Sequence, residues 1–404
     1  MSGVLIMRLT RLAVPAAVSG LLTLALCVPL HAQANQALLD RFKAAMAEEG
    51  TRIEWKSVSN YDNAEGKSVT ALDGVTIDTG EAPVELARIE LVAPEQTEDG
   101  YTIEKVVMPS WQYADDAMTA SVNDVSLEGV VLTKEGVENA YGTSILYDHA
   151  RLGEVRVSMD NAEIFTLTDV NVAIDAPADG GEMSFEGAAE GFTLALSKID
   201  NPSVRAAAGA MGYDTVEGHL EFDGSWEPAS GRMALTQFDI TGVDAGTFGL
   251  KLDLGGYTPA FMKSLRQMQE QLASAPEGAD NSAAGLAMLG LMQQLTFIGA
   301  EISFDDDSLT GKVLDYFARQ QGQTPQVVAN QAKAVVPFMT MQLNNPEFTQ
   351  MVTAAASKFL DDPQNLKITA RPTAPVPFAL IMAGAMSAPQ GLPQQLGVKV
   401  TANE

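Results

Sequence analysis

From about residue 51 to residue 255, apolar and polar side chains alternate in short runs broken by Gly, Asp and Asn, as at 154–159, 192–196, 219–222 and 248–254. Coiled as a helix, such a pattern would scatter its apolar residues around the axis; extended as a strand, it gathers them on one side. The stretch therefore predicts an antiparallel sheet with hairpin and meander connections, one face apolar and one wet. Residues 202–211 are the exception and read as a helix. Within the sheet region a short pattern of the type apolar-x-[Gly/Asp]-apolar recurs at Leu72-Asp73-Gly74-Val75, Leu127-Glu128-Gly129-Val130, Leu167-Thr168-Asp169-Val170, Ile240-Thr241-Gly242-Val243 and Phe297-Ile298-Gly299-Ala300. Gly or Asp inside a strand marks a bulge or tight bend, so ordinary β-bulges are expected at these places, and each copy could be a strand that curves the sheet. Their irregular separations argue against a solenoid of fixed period.

Helical spacing frames this region on both sides. Leu38, Leu39, Phe42 and Met46 predict an amphipathic helix over 35–49, with Gly50 as its C-cap. Beyond Gly255, the apolar stripe Phe261, Met262, Leu265, Met268 and Leu272 predicts another, followed by a connector over 273–284 and an apolar run at 286–295. A strand is expected around 297–304. Helices are then expected at 313–320, 325–343 and 346–360, the last two introduced by Thr324-Pro325 and Asn345-Pro346, with Pro337 kinking the longer one. Residues 376–386 are apolar on nearly every side and predict a buried helix. Strands at 366–370 and 396–400 are expected to return to the sheet. The fold class is α+β: a large, curved, mainly antiparallel sheet with helices packed on one face and a helix-rich C-terminal half, divided at 35–255 and 256–404.

The N-terminus carries a leader signature. Arg8 and Arg11 precede an uncharged apolar run over 12–30, and Ala32-Gln33-Ala34 supplies a small-x-small cleavage site, so cleavage is expected after Ala34. A retained anchor is the alternative, opposed by Pro15, Gly20 and Pro29 inside the run; lipidation at Cys27 is disfavoured by Leu24, where a small residue is wanted. Removing 1–34 takes away the chain's one cysteine, so the mature protein must be held by its core without disulfides. No later apolar run has spanning length, which points to a soluble exported protein, periplasmic in a cell with two membranes.

Composition narrows the function. Against 25 basic residues stand 52 acidic ones, a net charge of −27, which opposes binding to nucleic-acid phosphates or adsorption to anionic lipid by charge alone. His149 and His219 are the mature chain's only histidines, too few for a zinc site of His and Cys ligands. The consecutive Asp305-Asp306-Asp307 departs from alternating calcium-ligand spacing and reads as a turn. No nucleophile elbow is present; the nearest fragment, around Ser144 with Asp148 and His149 close in sequence, lacks the second glycine. Gly311-Lys312 lacks the rest of a phosphate-binding loop, and no cofactor is implied. Rings and acids cluster only at Trp111-Gln112-Tyr113-Ala114-Asp115-Asp116, a thin basis for a carbohydrate-active enzyme.

What remains is the methionine content of the helices. Met262, Met268, Met288 and Met292 are candidates for an apolar ligand groove, with core packing as the plain alternative. The leader, the acidic β-rich body, the recurring Leu-x-Gly-Val strands, Leu309-Thr310-Gly311-Lys312-Val313-Leu314 after an Asp turn, and the C-terminal strand pair together resemble AsmA-like and YdgA-like bacterial envelope proteins. That resemblance implies a role in envelope maintenance or lipid handling and supplies no catalytic residues; loss of an N-terminal anchor departs from the AsmA type. The expected function is thus non-enzymatic binding of a lipid, an acyl chain or an envelope protein partner. A scaffolding protein without a small ligand and a carbohydrate-active enzyme using distant acids are the alternatives.

Overall fold

The computed structural model describes residues 31–78, 83–114, 118–273 and 282–404, and within these leaves out the side chains of 31–35, 270–273, 282–284 and 286. Most of the leader and of the connector after Ala273 therefore lies outside the described residues. Seventeen strands and nine α-helices are described, and every ladder is antiparallel. The described residues divide into two compact units, one of those up to 139 and 143–161, the other of 140–142 and those from 162 to 404. The change from strands to helices near 255 falls inside the second.

The first unit begins with α1 (His31–Glu48), whose expected apolar positions Leu38, Leu39, Phe42 and Met46 are all buried; it closes at Gly50, φ +87°. Strands follow at β1 (Arg52–Glu54), β2 (Ser57–Asp62), β3 (Ser68–Asp78), β4 (Val84–Thr97), β5 (Gly100–Ala114), β6 (Met118–Thr133), β7 (Ile145–Leu146) and β8 (His149–Met159). Antiparallel pairing runs β3–β4–β5–β6–β8, with β1 and β2 on the far edge of β3. The core is tight: Leu72, Leu91, Val130 and Leu132 have no measurable exposure.

The recurring pattern proves to be something other than a bulge in its first three copies. Gly74, Gly129 and Asp169 adopt left-handed backbone, with φ of +63°, +66° and +52°. A bulge inserts a residue and shifts the register. Here Lys105 faces Glu128 and Ile103 faces Val130, so the register on either side of Gly129 is the same. What changes is the phase of burial. Along β6, Ala120 and Val122 are buried, then Val125 and Leu127 after Asp124 (φ +56°), then Val130 and Leu132 after Gly129. Each left-handed residue moves the inward set by one position, so apolar residues three apart, Leu72 and Val75 or Leu127 and Val130, both point inward where a regular strand would send one out. The fifth copy is a true bulge, since Asp253 faces Gly299 while Leu254 faces Phe297. The fourth lies at the end of its strand, and Gly242 has no left-handed backbone.

The second unit contains β9 (Ala162–Asp175), β10 (Met183–Leu194), α2 (Pro202–Met211), β11 (Val216–Glu227), β12 (Arg232–Gly242), β13 (Gly246–Gly255), α3 (Pro259–Ala273), α4 (Ser282–Met292), β14 (Thr296–Asp306), α5 (Leu309–Gln321), α6 (Pro325–Met341), α7 (Pro346–Asp361), β15 (Asn365–Ala370), β16 (Val376–Pro377), α8 (Phe378–Ser387), α9 (Leu392–Gln395) and β17 (Val398–Ala402). The ladder runs β9–β10–β11–β12–β13–β14–β15–β17, with β16 beside the start of β14. Asn201 caps α2 by accepting from the Ser203 and Val204 amides, and Asn345 caps α7 through Phe348, whereas Thr324 makes no such bond to α6. The C-terminal strand pairs with β15 and is tied to α7: Asn403 Nδ2 donates to the Lys358 and Asp362 carbonyls at 3.2 and 2.7 Å.

One helix corrects its expectation. α8 is apolar all round yet exposed: none of its residues is buried, and Met386 is 88% accessible. Hydrophobicity on every side signals burial only when neighbours surround the helix, and α8 is seated mainly at its start, where Phe378 packs on the α3–α4 cluster. No described helix is long and apolar enough to cross a membrane.

Candidate functional site

In antiparallel pairing, residues directly opposite each other share a face, so the register of the second unit assigns its faces without ambiguity. Val170, Ala189, Leu220, Ile240 and Phe248 form one row across β9–β13, continued by Phe304, Leu366 and Ala402. A second row holds Val172, Gly187, Phe222 and Phe238, then, past an irregularity in β12, Leu250, Ile302, Ile368 and Val400. A third runs from Ile174 and Phe185 through Leu235 and Leu252 to Ala300. No charged or polar side chain interrupts these rows.

This face is only half covered. In the first two rows Ala189, Val400 and Ala402 are buried, while Phe248, Ile302 and Ile368 are 41–42% exposed. Covering elements sit at its margins. Over β15 and β17, α7 buries Ala355 and Phe359 against Val400 and Ala402. At one end Trp226 meets Tyr141 and Tyr257 at ring-centroid distances of 5.9 and 6.4 Å, and its Nε1–H donates to the Tyr257 carbonyl at 2.7 Å. At the other end the Tyr213 hydroxyl donates to the Asp244 carbonyl at 2.7 Å, with Lys312 Nζ 4.0 Å from its ring centroid. With strands rising about 3.3 Å per residue and spaced about 4.8 Å apart, the three rows across β9–β14 cover roughly 25 by 15 Å.

Three phenylalanines set its relief. Phe222 lies over Gly187, Phe185 over Gly224 and Phe192 over Gly218, so close that a Cβ on any of these glycines would collide with the ring. The first two pairs are reciprocal, because Phe185-Glu186-Gly187 and Phe222-Asp223-Gly224 lie antiparallel and each ring fills the other strand's gap; the ring centroids are 6.4 Å apart. Rings laid on glycines keep the surface low and smooth while their faces stay apolar. The opposite face is acidic, with Glu186, Glu217, Glu221, Asp223 and Asp239 on neighbouring strands. Further along that face Glu301 is the exception, buried among Lys251, Lys367 and Arg371 at 3.5, 3.7 and 3.0 Å.

The residues singled out from sequence lie elsewhere. Met268 is buried with Phe261, Leu291 and Leu295; Met288 and Met292 pack against that cluster, and Met262 is partly buried on the same helix. Met268, Met288 and Met292 fill the space between α3 and α4. Ala32 and Ala34 fall in the first turn of α1. Ser144 is buried, and its hydroxyl donates to Glu48, which also receives Arg41 Nη2 at 3.0 Å; His149 is exposed on β8. Glu48 is pushed up by burial, but the hydrogen bonds from Ser144 and Arg41 and the Arg41 charge prevail and hold it below the ordinary carboxylate value. This is a latch between α1 and the segment before β7, with its serine engaged as a donor. Trp111 lies on β5, half-exposed, and Asp115 and Asp116 are outside the described residues. Asp306 Oδ1 accepts from the Thr310 amide at 2.8 Å and so serves the start of α5. Among the described residues no three His, Cys, Asp or Glu side chains are grouped to hold a metal ion.

A family model described as an uncharacterized protein matches residues 239–403, less than half of the chain, from the end of β12 to β17. No curated protein matches the sequence. The match covers the apolar face from Ile240 at the end of β12 to β17 and leaves out β9–β11.

Proposed function

We propose that this chain is an exported, non-enzymatic envelope protein, periplasmic after loss of its leader, that binds a lipid or acyl chain along the apolar face of β9–β14. In this reading the sheet curves around its ligand, the helices lie on one face of it, and the resemblance to AsmA-like and YdgA-like proteins reflects lipid handling. One observation carries the proposal: a broad, uninterrupted apolar face remains half-exposed in a molecule whose other sheet cores are closed. Contiguous exposed apolar area of this size marks a binding surface. Each methylene taken from water contributes about 0.8 kcal/mol, so a chain of ten or more offsets the several kcal/mol lost on association. The acidic reverse face keeps the molecule soluble and directs binding to one side.

Native mass spectrometry with solvent extraction tests this on protein exported through its own leader and purified without detergent. Near-stoichiometric lipid is expected, lost in Phe222→Glu and kept in Glu221→Gln, which alters the acidic face at the neighbouring position. A clean apo mass after incubation with host lipids overturns the proposal; the same spectrum reads the cleavage site.

A further inference from the structure

Residues 334–346, between Lys333 and Glu347, and 372–398, between Arg371 and Lys399, are among the stretches of this chain that carry no ionisable side chain. The fold brings them together, since Asn345 Nδ2, at the turn after α6, donates to the Gln390 carbonyl beyond α8 at 2.8 Å. Phe378 packs inward, but other large apolar side chains of both stretches point outward. Phe338 and Met339 on α6 are 68% and 72% exposed, and Met382 and Met386, four apart on α8, are 41% and 88% exposed. Neutral amides, Gln342, Asn344 and Gln390, supply the polar groups beside them.

We propose that this paired, charge-free lobe docks on a lipid bilayer surface, with Phe338, Met339 and Met386 entering the interfacial region. The charge distribution selects a bilayer as the occupant. Acidic residues outnumber basic ones two to one, yet three of the four charges bounding the two stretches are basic; Lys333 is taken up by Asp361, while Arg371 and Lys399 stay exposed. Arg371 belongs to a place where cations crowd a single carboxylate, with Lys251 and Lys367 around Glu301, and Lys399 stands opposite Thr369 in the same row as Glu301. A body of net −27 is repelled by anionic lipid, so contact needs a surface where acids are absent, apolar tips project and cations flank them; the lobe has all three. Flexible thioethers and a phenyl ring, without buried hydrogen-bond partners to match, suit a disordered acyl boundary better than a fixed protein surface. This inference does not depend on ligand binding by the sheet face.

The test uses the full chain with Cys27→Ser and Met386→Cys, carrying a polarity-sensitive fluorophore, and vesicles of phosphatidylethanolamine with phosphatidylglycerol. The label reports entry of the lobe itself, whatever the leader does. A blue shift on vesicle addition is expected, absent when the label is moved to Glu190→Cys on the acidic face, and reduced about tenfold in apparent affinity by Phe338→Glu. Phe338 is exposed, so that variant keeps its thermal midpoint. No shift with vesicles overturns the proposal, as does a shift that grows with protein concentration in their absence, which assigns the lobe to a second copy. Stoichiometric bound lipid without a vesicle shift defeats docking alone; a vesicle shift on a lipid-free protein defeats only the sheet-face reading.

Discussion

Left-handed residues within strands of both units decide which apolar side chains face inward. At Gly129 a Cβ would run into the Asp148 carboxylate, and φ is +66°, so Gly129→Ala combines a clash with backbone strain and is expected to cost about 1–3 kcal/mol, read by urea unfolding. Asp169 has the same conformation and an exposed side chain, so Asp169→Gly relieves strain and should leave stability within about 0.5 kcal/mol of wild type. Equal losses at both positions would sink the phase-shift account. The Glu48 latch makes a second prediction. Its folded pKa is depressed, so its contribution is present above the unfolded value of about 4.3 and is lost as pH falls through the lower folded value. Ser144→Ala removes a donor to that carboxylate and should lower stability by about 1 kcal/mol at neutral pH. The gap between wild type and variant should narrow below about pH 4; a gap independent of pH would show that packing, not the ionised carboxylate, is at stake.

At the scale of elements, the sequence is readable where the pattern itself carries the physics. α2 spans its expected residues because Asn201, Pro202 and Gly212 punctuate it, and the buried stripe of α1 follows from spacing alone. α8 departs from its expectation because composition shows that a helix lacks a polar face, not whether neighbours cover it. The sheet face was hidden for a related reason: alternation assigns residues to a face but leaves open what lies above it. One local signal was available, since Phe185-Glu186-Gly187 and Phe222-Asp223-Gly224 are two copies of one tripeptide in neighbouring strands, and their pairing creates the smooth surface. The helical methionines drew attention by chemistry, and only contacts separate filler from exposed surface. Met268→Ala should therefore cost about 2–5 kcal/mol and Met386→Ala under about 0.5, measured by thermal and urea unfolding. Comparable losses would mean that α8 is covered in solution.

For the whole molecule, two electrostatic effects oppose each other when salt is added. Screening weakens surface ion pairs such as Arg88–Asp73 at 2.7 Å and Arg232–Asp253 at 2.8 Å, each worth about 0–1 kcal/mol because their partners are partly exposed. It also weakens repulsion among the excess acids, which on the outer face of β10–β12 stand on adjacent strands, as Glu186 does opposite Asp223 and Glu221 opposite Asp239. Each basic residue can offset one acid, and with 52 acids to 25 bases more than half of the acids have no cation to match them. Repulsion therefore outweighs pairing, and raising NaCl from about 10 to about 500 mM should stabilise the protein by about 1 kcal/mol, a rise of about 1–2 °C in midpoint by scanning calorimetry. Glu221→Gln, which removes one of these acids without touching the apolar face, should raise the low-salt midpoint and flatten the salt dependence. A midpoint that falls with salt would mean that the ion pairs dominate and that the acidic face is built for local pairing instead of for holding one side of the sheet in water.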